Sequence, residues 1–222
     1  MATKLAIWKQ ALVHLERETI TTLTDDVEPR YVFDAAWPGV VEEAFSSGDW
    51  NFAKVSSVLA ADGAGTPAIG WTYVFNYPAD WLRSVSVSDR AAFTCPFIDY
   101  ADEGGNLHAN TPTLYLRYIS SNKMADAEVT SWPTMFWRYV ALKLAFDTCG
   151  KLTAGDTLER KIFDRMERAL RQAKSVDARN ENNKVIQPGT WLRARHGAGV
   201  GGSCSNGGTL VGGTIAFNEG DV

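Results

Sequence analysis

The 222-residue chain is 45% apolar and 22% charged with a formal net charge of −4, proportions that exclude global disorder and leave no basic excess for a dedicated nucleic-acid binder. No apolar run reaches the roughly 20 residues of a bilayer-spanning helix, and the first residues, interrupted by Lys9 and Gln10, lack a secretory pattern, so a cytoplasmic setting is expected. Three scattered cysteines (Cys95, Cys149, Cys204) and three histidines (His14, His108, His196) show no metal-ligand spacing, so no metal or cofactor is expected.

Leu5, Trp8, Leu12 and Leu15 recur at three- and four-residue steps and predict a first helix. Residues 19–29 break the pattern with Thr and Asp. Pro29 then opens a second helix with Phe33, Trp37, Val40 or Val41, and Ala44 on its apolar face and Gly48 at its end. Pro38, inside that segment, removes the donor for the Asp34 carbonyl, so a kink or break is expected there. From Trp50 to about Ile119 the period shortens to two. Trp71, Tyr73, Phe75 and Tyr77 share one face of a strand, Val85 and Val87 alternate with serines, and Leu114, Leu116 and Tyr118 alternate with Tyr115, Arg117 and Ile119. Pieces rich in Gly, Asn, Asp and Pro at 61–67 and 102–112 read as turns and loops. Together these predict one small antiparallel sheet of four to six strands. The aromatics of 71–77 are expected to fix it onto the helices, with Pro78 ending the strand and Asp80 capping the turn after it.

A third helix is predicted with Thr130 or Ser131 as cap and Pro133 in its first turn, closing at Gly150 or Gly155. Met135, Phe136, Tyr139, Val140, Leu142, Phe146 and Cys149 occupy nearly its whole circumference, which makes it the buried central helix. A fourth begins at Asp156 with Glu159 three residues on and carries Leu158, Ile162, Met166, Ala169, Ala173 and Val176 on its apolar stripe. Its outer side is basic through Arg160, Lys161, Arg165, Arg168, Arg171 and Lys174. After Asn180 the periodicity stops, and nine of the chain's 19 glycines fall in the last 26 residues. That segment retains Trp191, Leu192, Leu210, Val211, Ile215 and Phe217, which a solvated linker would lack, so these residues are expected to form an interface arm. The fold class expected is α+β. An antiparallel helical bundle (1–49 and 131–183) with an inserted antiparallel sheet region (50–130) makes one domain over 1–183, followed by an extended glycine-rich arm over 184–222.

The chemistry-bearing residues have ordinary readings. Cys95 and Cys149 sit in apolar surroundings and read as packed small side chains, His14 borders the stripe of the first helix, and His108 falls in a polar loop. Asp99, Asp102 and Glu103 read as a solvated tip, and the glycine-rich residues 199–208 lack the Lys-Ser/Thr ending of a phosphate loop. No catalytic, cofactor-binding or metal-binding residue is therefore assigned. Cys204 is either an incidental thiol or half of an intermolecular disulfide. Two alternatives to a structural role stand beside it. A small cytoplasmic enzyme with a cleft between bundle and sheet would be marked by an exposed, low-pKa Cys95 or Cys149 beside His108. A peptide- or nucleic-acid-binding module using aromatics of the sheet would be marked by salt-sensitive affinity.

Four segments stand in a recognisable order: Trp50-Asn51-Phe52-Ala53, the aromatic strand leading to Tyr77-Pro78-Ala79-Asp80, the Leu116-Arg117-Tyr118 strand, and the Ala- and Leu-rich helix before Leu152-Thr153. In that order and spacing the chain resembles, over roughly residues 1–182, the tail tubular protein A family of tailed bacteriophages, the head-to-tail adaptors or gatekeepers. The resemblance implies a structural virion protein rather than an enzyme, with no catalytic residue carried over. It implies a homo-oligomeric ring, expected to be dodecameric, beneath the portal protein and above a tail nozzle or a tail terminator. Such a ring sits at the head–tail junction after assembly in the host cytoplasm, and double-stranded DNA passes its lumen without sequence-specific binding. The glycine-rich residues after Asn183 have no counterpart in that pattern, which leaves nozzle and terminator both open. Two physical expectations accompany it. Eight tryptophans suit interface anchors, and a net acidic chain lining the channel would let DNA slide, whereas a wall of Arg160, Arg165 and Arg168 would contradict that.

Overall fold

The two periodicities of the sequence separate into four α-helices and six strands in the computed structural model, which describes residues 3–93, 97, 99–153 and 156–180. The helices are α1 (Lys4–His14), α2 (Glu28–Ser46), α3 (Thr134–Leu152) and α4 (Asp156–Arg179). Thr3 caps α1, its hydroxyl accepting from the Ala6 N–H at 3.1 Å, and Pro29 stands in the first turn of α2 as the sequence predicts. The other three helices pack on α3, whose buried residues lie all around its circumference. Most of the predicted stripe residues are buried: Trp8 and Leu12 on α1 with Leu15 at its cap, Phe33, Trp37, Val40, Val41 and Ala44 on α2, and Ile162, Met166 and Ala173 on α4. Also on α4, Leu158 and Ala169 are half-buried, and Val176, expected on the stripe, is exposed because it lies in the last turn, past Ala173, where burial of the stripe ends.

Two helix details differ from the sequence reading. Of the kink or break expected at Pro38 the break does not occur: α2 runs through this exposed proline, and Asp34, whose carbonyl loses its donor, is exposed too, where solvent can satisfy it. α3 starts later than Thr130 or Ser131 would place it. Both lie in a 3-10 stretch, Asp126–Ser131, where the Ser131 hydroxyl donates to the Glu128 carbonyl at 2.7 Å, and Pro133 occupies the cap position. Gly150 is inside the helix, which ends at Leu152.

The strands are β1 (Lys54–Ala60), β2 (Tyr73–Asn76), β3 (Trp81–Ser88), β4 (Tyr100–Glu103), β5 (Asn106–Ala109) and β6 (Thr113–Ser120). They form two antiparallel three-stranded sheets, β1-β6-β3 and β2-β5-β4, where the sequence predicted one. The difference arises at 102–112. The charged, glycine-containing piece read there as a loop is a hairpin whose two turn residues, Gly104 and Gly105, both take positive φ (60° and 79°), the conformation tight two-residue turns require. β5 is then the middle strand of its sheet, so Leu107, His108 and Ala109 are all buried and the period-2 signal is lost.

The sheets pack on each other. Leu59, Phe75, Val87, Leu107, Leu114, Leu116 and Tyr118 form one apolar cluster with Tyr73, Tyr77 and Trp81 against it. Tyr73, Phe75 and Tyr77 therefore join sheet to sheet, not sheet to helices, while Trp71 precedes the strand and belongs to neither cluster. Contact with the helical core falls to Ile119, Leu82 and Val85, on the opposite sides of β6 and β3. The alternation predicted for β6 holds, with Leu114, Leu116 and Tyr118 in the inter-sheet cluster and Ile119 in the helical one. The tryptophan expectation is corrected as well. Trp8, Trp37, Trp50 and Trp132 are core residues, grouped with Phe33, Phe45 and Phe136, so half of the eight anchor the interior rather than an interface.

Candidate functional site

α4 presents the most strongly patterned surface among the described residues. At 3.6 residues per turn, positions 161, 165, 168, 172, 175 and 179 fall in one row, occupied by Lys161, Arg165, Arg168, Gln172, Ser175 and Arg179. All six are exposed, no carboxylate interrupts them, and the row is about 27 Å long at 1.5 Å per residue. The neighbouring row, Arg160, Asp164, Glu167, Arg171 and Lys174, mixes both signs. The basic outer side read from the sequence is thus two faces, one mixed and one purely cationic. None of the helix's seven Lys and Arg residues forms an ion pair among the described residues. Elsewhere Lys4 pairs with Asp126, Arg30 with Asp34, Arg83 with Asp49, Lys123 with Glu128, and Lys143 with Glu43 and Asp147.

Near its carboxyl end α4 meets the segment after α2. The Asn51 backbone N–H donates to the Asp177 carboxylate and its side-chain amide to the Asp177 carbonyl, both at 2.9 Å. Asp49, Arg83 and Lys174 complete the walls of a polar cleft of about 410 Å³. Its opposite charges neutralise one another, so it offers a foreign ion little.

The residues that could carry chemistry are dispersed. Cys149 is buried in α3 and its thiol is pushed up by burial and by the charge of Glu159, the opposite of an activated nucleophile. His108 is on β5, not in a loop. Its Nδ1 accepts from the Ala68 N–H at 3.2 Å and its Nε2 lies 3.3 Å from the Glu103 carbonyl, so the ring tethers a connecting segment to the hairpin. His14 is held below the ordinary imidazole range by burial and by the Arg165 charge. Asp99, Asp102 and Glu103 are exposed, as a solvated tip requires, but Asp102 and Glu103 lie on β4, running into the Gly104-Gly105 turn, rather than in a loop. No cluster of three or more metal-ligating side chains occurs among the described residues.

No protein-family model matches the chain, and no curated protein matches it. Its surfaces are therefore read from its own residues. The expected arm residues Trp191, Leu192, Leu210, Val211, Ile215 and Phe217, together with Cys95, Cys204 and His196, lie outside the described residues. Among the described residues no helix is long and apolar enough to cross a membrane. The exposed-aromatic platform that a binding module would use is not found on β2: Phe75 is fully buried, and Tyr77 stacks on Trp81 with ring centroids 4.1 Å apart.

Two groups escaped the sequence reading. Lys143, on the central helix α3, is almost buried and reaches Glu43 at 3.0 Å and Asp147 at 2.9 Å. Only the Asp147 spacing of four residues signals it in sequence; Glu43 is a hundred residues away. Asp80, expected to cap its own turn, instead reaches across to β6 and the residues after it.

Proposed function

We propose that this chain is a structural virion protein, a head-to-tail adaptor that forms a ring between portal and tail around a lumen for the genome. The observation that carries the reading is where the family-like segments fall: on the joints of the fold rather than around a reactive cleft. Trp50 and Phe52 pack on Phe136 of α3, with ring centroids 4.8 and 4.9 Å away. Tyr77-Pro78-Ala79-Asp80 links the two sheets and holds the end of β6, where Leu116 and Tyr118 fill the inter-sheet core. Residues 134–152 form the central helix of the antiparallel helical bundle. The glycine-rich segment over 184–222 is read as an arm that engages the portal or the tail.

Residues that hold a scaffold together, rather than placing a nucleophile or a ligand, are what an assembly protein needs. The unpaired cationic face of α4 further supports a surface reserved for a partner. The test is native mass spectrometry of the purified full chain, alone and mixed with the portal protein of the same virus. Closed rings, free or bound to portal, are expected. A chain that stays monomeric in both conditions overturns the proposal.

A further inference from the structure

The cationic face of α4 has a complement on the same chain. Residues 16–28, between α1 and the start of α2, hold Glu16, Glu18, Asp25, Asp26 and Glu28 against a single cation, Arg17. The Arg17 guanidinium is committed elsewhere, donating to the Leu152 carbonyl at the end of α3. The segment is concave, with a hollow of about 460 Å³ whose lining includes three carboxylates, Glu16, Glu18 and Asp25, beside Arg17, Ile20 and Val27. Val27 in its lining is exposed, and so are Val13, Leu23 and Tyr31 close by in the chain. Asp25 is fixed in its ionised form, since the hydroxyls and N–H groups of Thr22 and Thr21 hold its carboxyl well below the usual carboxylate range. None of the five carboxylates forms an ion pair among the described residues, so acidic hollow and basic ridge are both left uncompensated by their own chain.

We propose that the α4 face of Lys161, Arg165, Arg168 and Arg179 docks into the acidic hollow of residues 16–28 of a second copy of this chain. The inference deepens the ring reading and rests on it. Contact between two unlike patches is head-to-tail, the class of contact that closes rings when the rotation permits. Charge favours a second copy over a nucleic acid. With seven basic and five acidic residues in α4, the rest of the chain holds 15 basic against 21 acidic residues, a field that repels a polyanion and attracts this helix. Exposed Val176 borders the basic row and offers an apolar partner for exposed Val27 in the lining of the hollow, a feature phosphate binding does not use. Sequestering the cationic row between copies also leaves the acidic remainder of the subunit to face a DNA channel.

Light scattering on the full chain, under the conditions in which the wild type assembles, tests this with three variants: K161E/R168E, E18K/D26K, and the four substitutions combined. Circular dichroism verifies that each remains folded. Each double variant should raise the concentration needed for assembly about tenfold or more, and the combined variant, with the charges exchanged, should recover assembly. Wild-type assembly should also weaken as salt rises. Double variants that assemble like the wild type overturn this contact while leaving the ring reading intact, whereas a wild type that never assembles removes both. A short DNA duplex retarded by the wild type and released by K161E/R168E, with assembly unchanged, would make the row a nucleic-acid surface and overturn the proposal.

Discussion

Asp80 and Tyr118 are joined by a 2.9 Å hydrogen bond from the tyrosine hydroxyl to the carboxylate, which ties the turn between β2 and β3 to the far end of β6. The same carboxylate accepts from the Ser120 hydroxyl and the Asn122 side-chain amide, while the Asp80 carbonyl accepts from the Ser121 N–H at 2.8 Å. The Ser120 bond is the main reason the Asp80 carboxyl sits below its ordinary range, and burial with the Asp80 bond pushes the Tyr118 hydroxyl up to about 12. Hydrogen bonds to a charged group contribute about 1.5–3 kcal/mol, so Asp80→Ala should cost about that much in urea denaturation and Asp80→Asn roughly half. Equal stability of Asp80→Ala and wild type would show that the staple carries no load.

Phe136 lies where the helices and the start of the sheet region converge. Its ring centroid is 5.0 Å from Phe45 on α2, 4.8 Å from Trp50, 4.9 Å from Phe52 and 5.3 Å from Trp132. Four aromatic neighbours cannot all move into a vacated site, so Phe136→Ala leaves a cavity and should cost about 3–5 kcal/mol, against about 1–2 for Phe136→Leu. Thermal unfolding followed by tryptophan fluorescence measures both, since Trp50 and Trp132 flank the site. A Phe136→Ala cost below that of Phe136→Leu would contradict this packing.

The helices were legible in the sequence because burial there follows a single period: the stripes named from spacing are buried or half-buried except at Val176, and buried residues surround α3 because three helices pack on it. The sheets were less legible. Four-residue strands such as β4 and β5 are too short to show alternation, and Asp102 and Glu103 resemble loop residues until β5 is known to be a central strand. The direction of the aromatics was hidden for another reason: composition counts tryptophans, but whether Trp37 stacks on Trp132 inside the core or faces a partner depends on contacts 95 residues apart. The basic row of α4 could be read from residue spacing alone, whereas its lack of carboxylate partners could not.

Lys143 offers a contrast between its two carboxylates. The lysine side chain is 10% exposed, Glu43 is 63% exposed and Asp147 lies between. Burial alone would lower the lysine's affinity for its proton, but hydrogen bonds and charge from Asp147 and Glu43 outweigh it and raise the value above the ordinary range. Glu43→Gln should therefore cost less than about 1 kcal/mol, as for exposed pairs. Lys143→Ala should cost about 1–3 kcal/mol because it strands Asp147, and Lys143→Met should recover much of that by filling the same volume without a charge. Denaturant midpoints of the three variants rank these effects, and a Glu43→Gln loss exceeding that of Lys143→Ala would reverse the assignment.

His14 gives the fold a pH dependence near neutrality. Its Nε2 is buried without a hydrogen-bond partner, and burial first, then the Arg165 charge, lower its proton affinity below the ordinary 6.5. The unfolded chain then binds a proton more readily than the folded one, so stability rises with pH across this interval. The His14 contribution is intact above about pH 6.5 and is lost progressively as pH falls from there through the lower folded value. Asp80 and Asp25 act in a separate window, because their lowered values leave their contributions intact above 3.8 and lost only in stronger acid. Urea denaturation at about pH 7.5 and about pH 5.5 should show the wild type losing stability on acidification and His14→Gln losing less. Arg165→Gln should also lose less, since removing that charge moves His14 back toward its ordinary value. Identical losses in wild type and His14→Gln would assign the dependence to other groups and show that the imidazole titrates alike in the folded and unfolded chain.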